Sequence, residues 1–247
     1  VRVLLDHWAN RGKPFYKKTL KRLRDMGADW QLMLPVQPLK GKYQRPDLRN
    51  HRKLLVVDGL VAFMGSQNVT DSTYNLKKNI RRGLHWVDLM VRLEGPVVAS
   101  INAVFLSDWY AETQEVLYTE TDLDELKAGP GDLDCQIVPS GPGFRFENNL
   151  RLFAALMYAA QRKLIIVSPY FVPDEAMLLA ITSACHRGVE VQLFVSEEGD
   201  QAMVYHAQRS YYEVLLKAGV KIWMYRKPFI LHSKSMTVDD EVAVIGS

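Results

Sequence analysis

Short apolar runs alternate along this chain with longer stretches of helical period. VRVLLDH (residues 1–7), KLIIVSPYF (163–171) and GVEVQLF (188–194) each crowd at least four apolar residues into a strand-length window. TLKRLRDMGADW (19–30) and YYEVLLKAGVKIW (211–223) read instead as a helix that ends near a glycine and feeds a further strand. HWVDLMVRLEG (85–95) reads as one strand, followed by a helix over PVVASINAVFLSDWYAET (96–113). Two more helices are predicted at 149–162 and about 174–187, on either side of the 163–171 strand. Strands alternating with helices predict α/β layers.

The same pattern occurs twice. Residues 51–66, HRKLLVVDGLVAFMGS, align with 232–247, HSKSMTVDDEVAVIGS, at a constant offset of 181, and both read H-x-K-x4-D-x6-G-S. His51 matches His232, Lys53 matches Lys234, Asp58 matches Asp239, and Gly65-Ser66 matches Gly246-Ser247. Five shared residues at fixed spacing mark an internal duplication. The upstream segments also correspond: 188–194 resembles 1–7, and 211–223 resembles 19–30. Two halves are therefore expected, at 1–116 and 135–247. The acidic, Gly-Pro-Gly-containing segment 117–134 would link them. The second half has a leading unit whose counterpart would precede Val1. The first half continues past its motif, and the matching continuation would follow Ser247. The expectation is a chain truncated at both ends.

In a strand, residues i and i+2 share a face, so His51 and Lys53 point the same way, as do His232 and Lys234. Asp58-Gly59 is a hairpin-turn dipeptide that would return Gly65-Ser66-Gln67-Asn68 toward His51. Each hairpin then gathers an imidazole, an ammonium, a hydroxyl and, in the complete copy, the Asn68 amide. Paired, the halves would place two imidazoles and two fixed positive charges at one point between them. That set suits attack on a phosphodiester. One histidine is a nucleophile, and the other protonates the leaving oxygen and then activates the acceptor. The lysines, Ser66 and Asn68 would stabilise charge on the non-bridging oxygens. For Asp58 and Asp239 two roles stay open, orienting a histidine or closing the turn.

Charge sharpens the picture. The net charge is only +3, yet residues 1–82 hold 18 Lys and Arg against 6 Asp and Glu, and residues 83–247 hold 13 against 22. A basic segment of this size implies an anionic partner such as a phosphate substrate, nucleic acid or a membrane surface. The alternative for KKTLKRLR (17–24) is a solvated helix face. Cys135 and Cys185 make neither a disulfide framework nor a zinc site, and no metal-ligand cluster appears, so neither cofactor nor metal is expected. No apolar run approaches the ~20 residues of a membrane span, and no signal peptide is evident. His7, His85, His186 and His206 lack a partner in the repeat and are expected to have core or surface roles. No supporting role is assigned to Asp88. Tyr170 and Phe171, after a strand, either line the ligand site or brace a turn.

H-x-K-x4-D followed by G-S-x-N resembles the phospholipase D superfamily. NHRKLLVVDG (50–59), GSQNVTD (65–71), WVDLMVRLEGPVV (86–98), PSGPG (139–143) and SPYFVPDEAML (168–178) are similar to bacterial cardiolipin synthases. The resemblance implies a duplicated α/β fold with the active site between pseudo-twofold halves. It implies phosphatidyl transfer between two phosphatidylglycerol molecules through a phosphohistidine, giving cardiolipin and glycerol. By carry-over, His51 is the nucleophile and His232 the acid and base, assisted by Lys53, Asp58, Lys234 and Asp239. Ser66, Asn68, Ser247 and Tyr170 would contact substrate. The partners are anionic phospholipid and the bacterial cell-membrane surface rather than nucleic acid, with spanning helices expected outside this chain. Other enzymes of the superfamily, namely lipid hydrolases, phosphatidylserine synthases and nucleases, share the motif and remain the alternative. A non-catalytic binding protein on the same fold would not be expected to keep both motifs.

Overall fold

β-Branched and leucine-rich segments bounded by Asp, Gly and Pro become the strands, and the Lys/Arg- and Ala-rich segments between them become helices. The computed structural model describes residues 1–13, 15–36, 49–118, 131, 133–144, 147–199 and 201–247. Most of the expected linker 117–134 lies outside the described residues. The chain begins β1 (Arg2–Asp6), α1 (His7–Asn10), α2 (Tyr16–Asp25), β2 (Asp29–Met33), β3 (Leu54–Val57) and β4 (Val61–Gly65). It continues α3 (Lys77–Arg81), β5 (His85–Val87), β6 (Met90–Glu94) and α4 (Val97–Thr113). Then come α5 (Asn148–Ala159), β7 (Lys163–Val167), α6 (Glu175–His186), β8 (Glu190–Ser196), α7 (Ala202–Ser210) and α8 (Tyr212–Ala218). The last elements are β9 (Lys221–Tyr225), β10 (Phe229–Leu231), β11 (Lys234–Val238) and β12 (Val242–Gly246).

Two compact units emerge, Val1–Ala62 with Arg92–Asn148, and Phe63–Val91 with Asn149–Ser247. In the first, β1 and β2 pair in parallel from Arg2↔Asp29 to Asp6↔Met33, with α2 as the crossover. Helix α4 packs on β2 and β3 and buries Val98, Ile101 and Trp109. The Trp109 indole N–H is satisfied by Glu115 Oε2 at 2.9 Å, as a buried donor must be.

The second unit holds a five-stranded sheet of order β12-β11-β7-β8-β9. Strands β7, β8 and β9 run parallel, and the β11–β12 hairpin joins antiparallel to β7. Alternation sets the inward faces. Leu164 and Ile166 of β7, Val191, Leu193 and Val195 of β8, and Met236 and Val238 of β11 are buried against Ala180, Ile181 and Ala184 of α6 and Leu215 of α8. Each of the buried Leu, Ile, Val and Met side chains contributes about 1.5–3 kcal/mol, which makes this sheet a rigid base for the residues at its strand ends. Asp174 caps α6 by accepting from the Met177 N–H at 2.8 Å.

The two motif hairpins turn in the same way. Asp58 and Gly59 have φ of 52° and 71°, Asp239 and Asp240 have 56° and 61°, and the following N–H closes each turn at 3.0 Å, Leu60 to Val57 O and Glu241 to Val238 O. Two successive left-handed residues with that bond are the tight turn expected of Asp-Gly. One expectation is corrected: 85–95 is not one strand. It breaks after Val87 and resumes at Met90, and the two residues in the break, Asp88 and Leu89, belong to the site.

Candidate active site

His232 is placed by strand register. β10 pairs in parallel with β5, Leu231 opposite Val87, so the next residues, His232 and Asp88, face each other. The N–H groups of His232 and Ser233 both donate to Val87 O, at 2.8 and 3.2 Å, and fix the backbone there. Buried Ser196 holds Leu231 from the other side, accepting its N–H at 2.8 Å and donating to its carbonyl at 3.2 Å.

The His232 side chain is buried, and its Nδ1–H donates to Asp88 Oδ1 at 2.6 Å. A carboxylate accepts only, so the bond fixes the proton on Nδ1 and leaves Nε2 as the working nitrogen. The same Oδ1 accepts from Ser66 Oγ–H at 2.7 Å, and Ser66 Oγ accepts from the Leu89 N–H at 3.0 Å. Burial pushes the Asp88 carboxyl up. The hydrogen bonds from His232 and Ser66, with the charges of His232 and Lys234, outweigh it and hold the group below the ordinary carboxylate range. Asp88 is thus an anion clamped against the His232 imidazole.

Gly65 makes this clamp possible. Its φ is 154°, and a Cβ there would lie 2.1 Å from Leu89 O, so only glycine lets Ser66 N–H reach that carbonyl at 2.9 Å. Aromatic rings flank the histidine: Tyr74 and Tyr170 present edges at centroid distances of 6.2 and 6.4 Å. The Tyr74 hydroxyl accepts from Asn68 Nδ2 at 2.7 Å. A cavity of about 150 Å³ opens beside the clamp, lined by Asn68, Asp71, Ser72, Tyr74, Trp86 and Asp88 among others.

In the other unit His51 is exposed, and its neighbours are braced. Asn50 donates from Nδ2 to Asp108 Oδ2 at 2.9 Å and from its backbone N–H to Asp6 Oδ2 at 3.2 Å. Arg52 forms two 2.8 Å bonds to the Asp108 carboxylate, donates to Ser140 O at 2.8 Å and lies 5.2 Å over the Phe144 ring. The PSGPG segment is thereby tied to the motif. The two lysines behave alike: Lys53 Nζ donates to His51 O at 2.7 Å and Lys234 Nζ to His232 O at 2.5 Å.

Several expected roles change. Asp58 and Asp239 follow their histidines by seven residues, on the order of 20 Å of extended chain, and close the turns rather than orient imidazoles. Asp239 accepts from the backbone N–H groups of Gln161, Arg162 and Lys163 at 2.7–2.9 Å, bonds that hold its carboxyl below the usual range. Ser66 is fully buried and committed to Asp88 and Leu89, so it supports the histidine's partner instead of contacting substrate. Ser247 is exposed, one residue past β12. Tyr170 lies beside His232, whereas Phe171 is core, its N–H bound to Gln208 Oε1 at 2.8 Å. Of the unpaired histidines, His7 accepts the Val36 N–H on Nδ1 and His85 meets Ser72 Oγ at 2.9 Å. Among the described residues no group of His, Cys, Asp and Glu could hold a metal ion, and no helix is long and apolar enough to cross a membrane. Asp88 was the principal miss. The duplication that flagged the histidines could not flag it, because a matching position would fall beyond residue 247.

Residues 153–247 match the family model "Cardiolipin synthase, PLD-like domain". A cardiolipin synthase of Alkalihalophilus pseudofirmus is 37% identical across 94% of this chain and 45% of its own length. Cardiolipin synthase A of Yersinia pseudotuberculosis is 36% identical across 100% and 50%. The chain spans about half the length of these curated relatives. Among solved structures, phosphatidylserine synthase of Haemophilus influenzae superposes with a TM-score of 0.56 at 14% identity, over 97% of this chain and 70% of that one, a likeness of fold.

Proposed function

We propose that the chain is a phospholipase D superfamily enzyme, its residues 153–247 matching a cardiolipin synthase PLD-like domain, and that it transfers a phosphatidyl group between two phosphatidylglycerol molecules. The products are cardiolipin and glycerol. The observation that carries the chemistry is the His232–Asp88–Ser66 clamp within a duplicated His-x-Lys motif.

His51 attacks the phosphorus of the first phosphatidylglycerol, and the bond from phosphorus to the headgroup glycerol oxygen breaks. His232, protonated on Nε2, gives that proton to the departing oxygen, and glycerol leaves. His232 Nε2 then takes the proton from a headgroup hydroxyl of the second phosphatidylglycerol. The alkoxide attacks the phosphatidyl-His51 phosphorus, the phosphorus–nitrogen bond breaks, and cardiolipin forms. One phosphodiester is exchanged for another, so the balance requires no external energy source. Asp88, bonded to Nδ1, holds the ring so that Nε2 exchanges the proton in both steps. Lys53, Lys234 and Asn68 offset charge on the non-bridging oxygens. Tyr170 borders the reacting headgroup. The reaction is assigned to an anionic bacterial membrane surface, consistent with the basic first third of the chain. The two halves, 1–116 and 135–247, each supply one histidine.

The test is product analysis on phosphatidylglycerol vesicles, without metal or nucleotide, for wild type, His51→Ala and His232→Ala. Cardiolipin and glycerol in equal amounts, lost in both variants, support the reading. Phosphatidic acid in place of cardiolipin would keep the histidine chemistry and make water the acceptor. No turnover would reject a phosphatidylglycerol substrate.

A further inference from the structure

The segment from His7 to Arg24 contains seven Lys and Arg and not one Asp or Glu. In α2, only Tyr16, Leu20 and Leu23 turn inward, at the i, i+4, i+7 spacing of one helix face, and Lys17, Lys18, Lys21, Arg22 and Arg24 are exposed. An ordinary solvated helix mixes charges of both signs; this face has a single sign until Asp25. Two large aromatics stand out beside it, Trp8 at 45% exposure and Phe15 at 48%. Cations interleaved with exposed aromatic rings are the composition of a surface that settles into a lipid headgroup layer.

This face is coupled to the catalytic hairpin through one carboxylate. Asp6, at the end of β1, caps α1 by accepting the Ala9 N–H at 2.9 Å, which positions Trp8. Its other oxygen accepts the Asn50 N–H at 3.2 Å, adjacent to His51, and Arg49 pairs with the capping oxygen at 3.5 Å. Helix α1 and the backbone that presents His51 are therefore held by the same side chain.

We propose that the α1–α2 face is a docking surface for an anionic phospholipid bilayer, with Trp8 and Phe15 entering the headgroup layer and the α2 cations lying on it, so that His51 is presented at headgroup level. This deepens the phospholipid reading above and rests on it. Charge complementarity alone also suits nucleic acid, but polynucleotide binding gives the exposed Trp8 and Phe15 no apolar phase to enter.

The experiment measures partition of the 247-residue protein onto vesicles of phosphatidylcholine, with and without phosphatidylglycerol, over a range of salt. The variants are Lys17→Gln/Lys18→Gln/Lys21→Gln/Arg22→Gln and Trp8→Ala/Phe15→Ala. Each Lys or Arg near an anionic surface changes partition about fivefold, so the quadruple variant is expected to lose roughly a hundredfold or more on phosphatidylglycerol vesicles. The loss should shrink as salt rises. The aromatic variant should lose about tenfold, with little salt dependence. Circular dichroism melting confirms that both fold, and turnover of detergent-dispersed phosphatidylglycerol should stay near wild type. Partition of the quadruple variant within about twofold of wild type overturns the proposal. So does a variant that loses only duplex DNA binding, which would assign the face to nucleic acid. Partition reads independently of turnover. Charge-dependent docking without cardiolipin would sink the synthase reading and leave the surface intact, whereas cardiolipin formation with unaltered partition would do the reverse.

Discussion

Asp88→Asn removes one negative charge from the site and keeps its shape. In the wild type that charge sits 2.6 Å from His232 Nδ1, and the Asp88 side chain is only 13% exposed, so solvent screens the pair weakly. A hydrogen bond to an ionised acceptor is worth about 1.5–3 kcal/mol. The proton-transfer steps lose the bond that orients the ring, so kcat should fall roughly 10- to 150-fold, with KM little changed. Cardiolipin formation on phosphatidylglycerol vesicles, followed across pH, reads both quantities. The Asp88 carboxyl is held below its unfolded value, so its contribution to stability is complete above about pH 4 and lost as pH falls through the folded value. The melting-temperature gap between wild type and variant should therefore narrow in acid. A kcat within twofold of wild type would refute the assignment of Asp88 as the residue that orients His232.

Three further outcomes follow from the same geometry. Ser66→Ala leaves the Leu89 N–H without its acceptor and takes one donor from Asp88; about 1–3 kcal/mol of stability and roughly tenfold in kcat should be lost, read by denaturant melts and turnover. Gly65→Ala drives a Cβ into Leu89 O and should cost about 3 kcal/mol or more, while Gly246→Ala, its repeat partner, meets nothing within 4 Å and should cost under about 1 kcal/mol; equal melting temperatures for the two would contradict the close approach. Asp239→Asn should lower the melting temperature at neutral pH by weakening the clasp on residues 161–163 and leave kcat/KM of the folded fraction near wild type; the wild-type advantage should fade as pH falls below the unfolded carboxyl value, since the folded carboxyl is depressed.

The duplication and the apolar periods carried most of the fold. β1, β7, β8, α4 and α6 lie where the patterns predicted them, because burial on one face imposes its period on the sequence. The Asp-Gly turn was legible because few residues tolerate two left-handed positions in succession. What escaped was tertiary. Apolar Trp86, Val87, Leu89 and Met90 made 85–95 read as continuous, and nothing local announced that Asp88 would leave the strand to meet a residue 144 positions away. Ser66 looked like a ligand contact because a hydroxyl after glycine is a common phosphate binder. Only its complete burial revealed the supporting role. The brace around His51, from Asn50 and Arg52 to Asp108, was equally silent, since a carboxylate on a helix reads as surface until its partners are known.

The central claim is covalent transfer through His51 with His232 as proton carrier. Its most direct test uses a phosphatidyl ester of p-nitrophenol labelled at phosphorus, a leaving group that departs without a proton. Rapid base quench and peptide mapping then locate the label. The account predicts a base-stable, acid-labile adduct on His51 that is absent in His51→Ala. In His232→Ala the adduct should still form and should persist, because the acceptor alcohol can no longer be deprotonated. Label on His232, or an adduct that clears in His232→Ala as fast as in wild type, would contradict it.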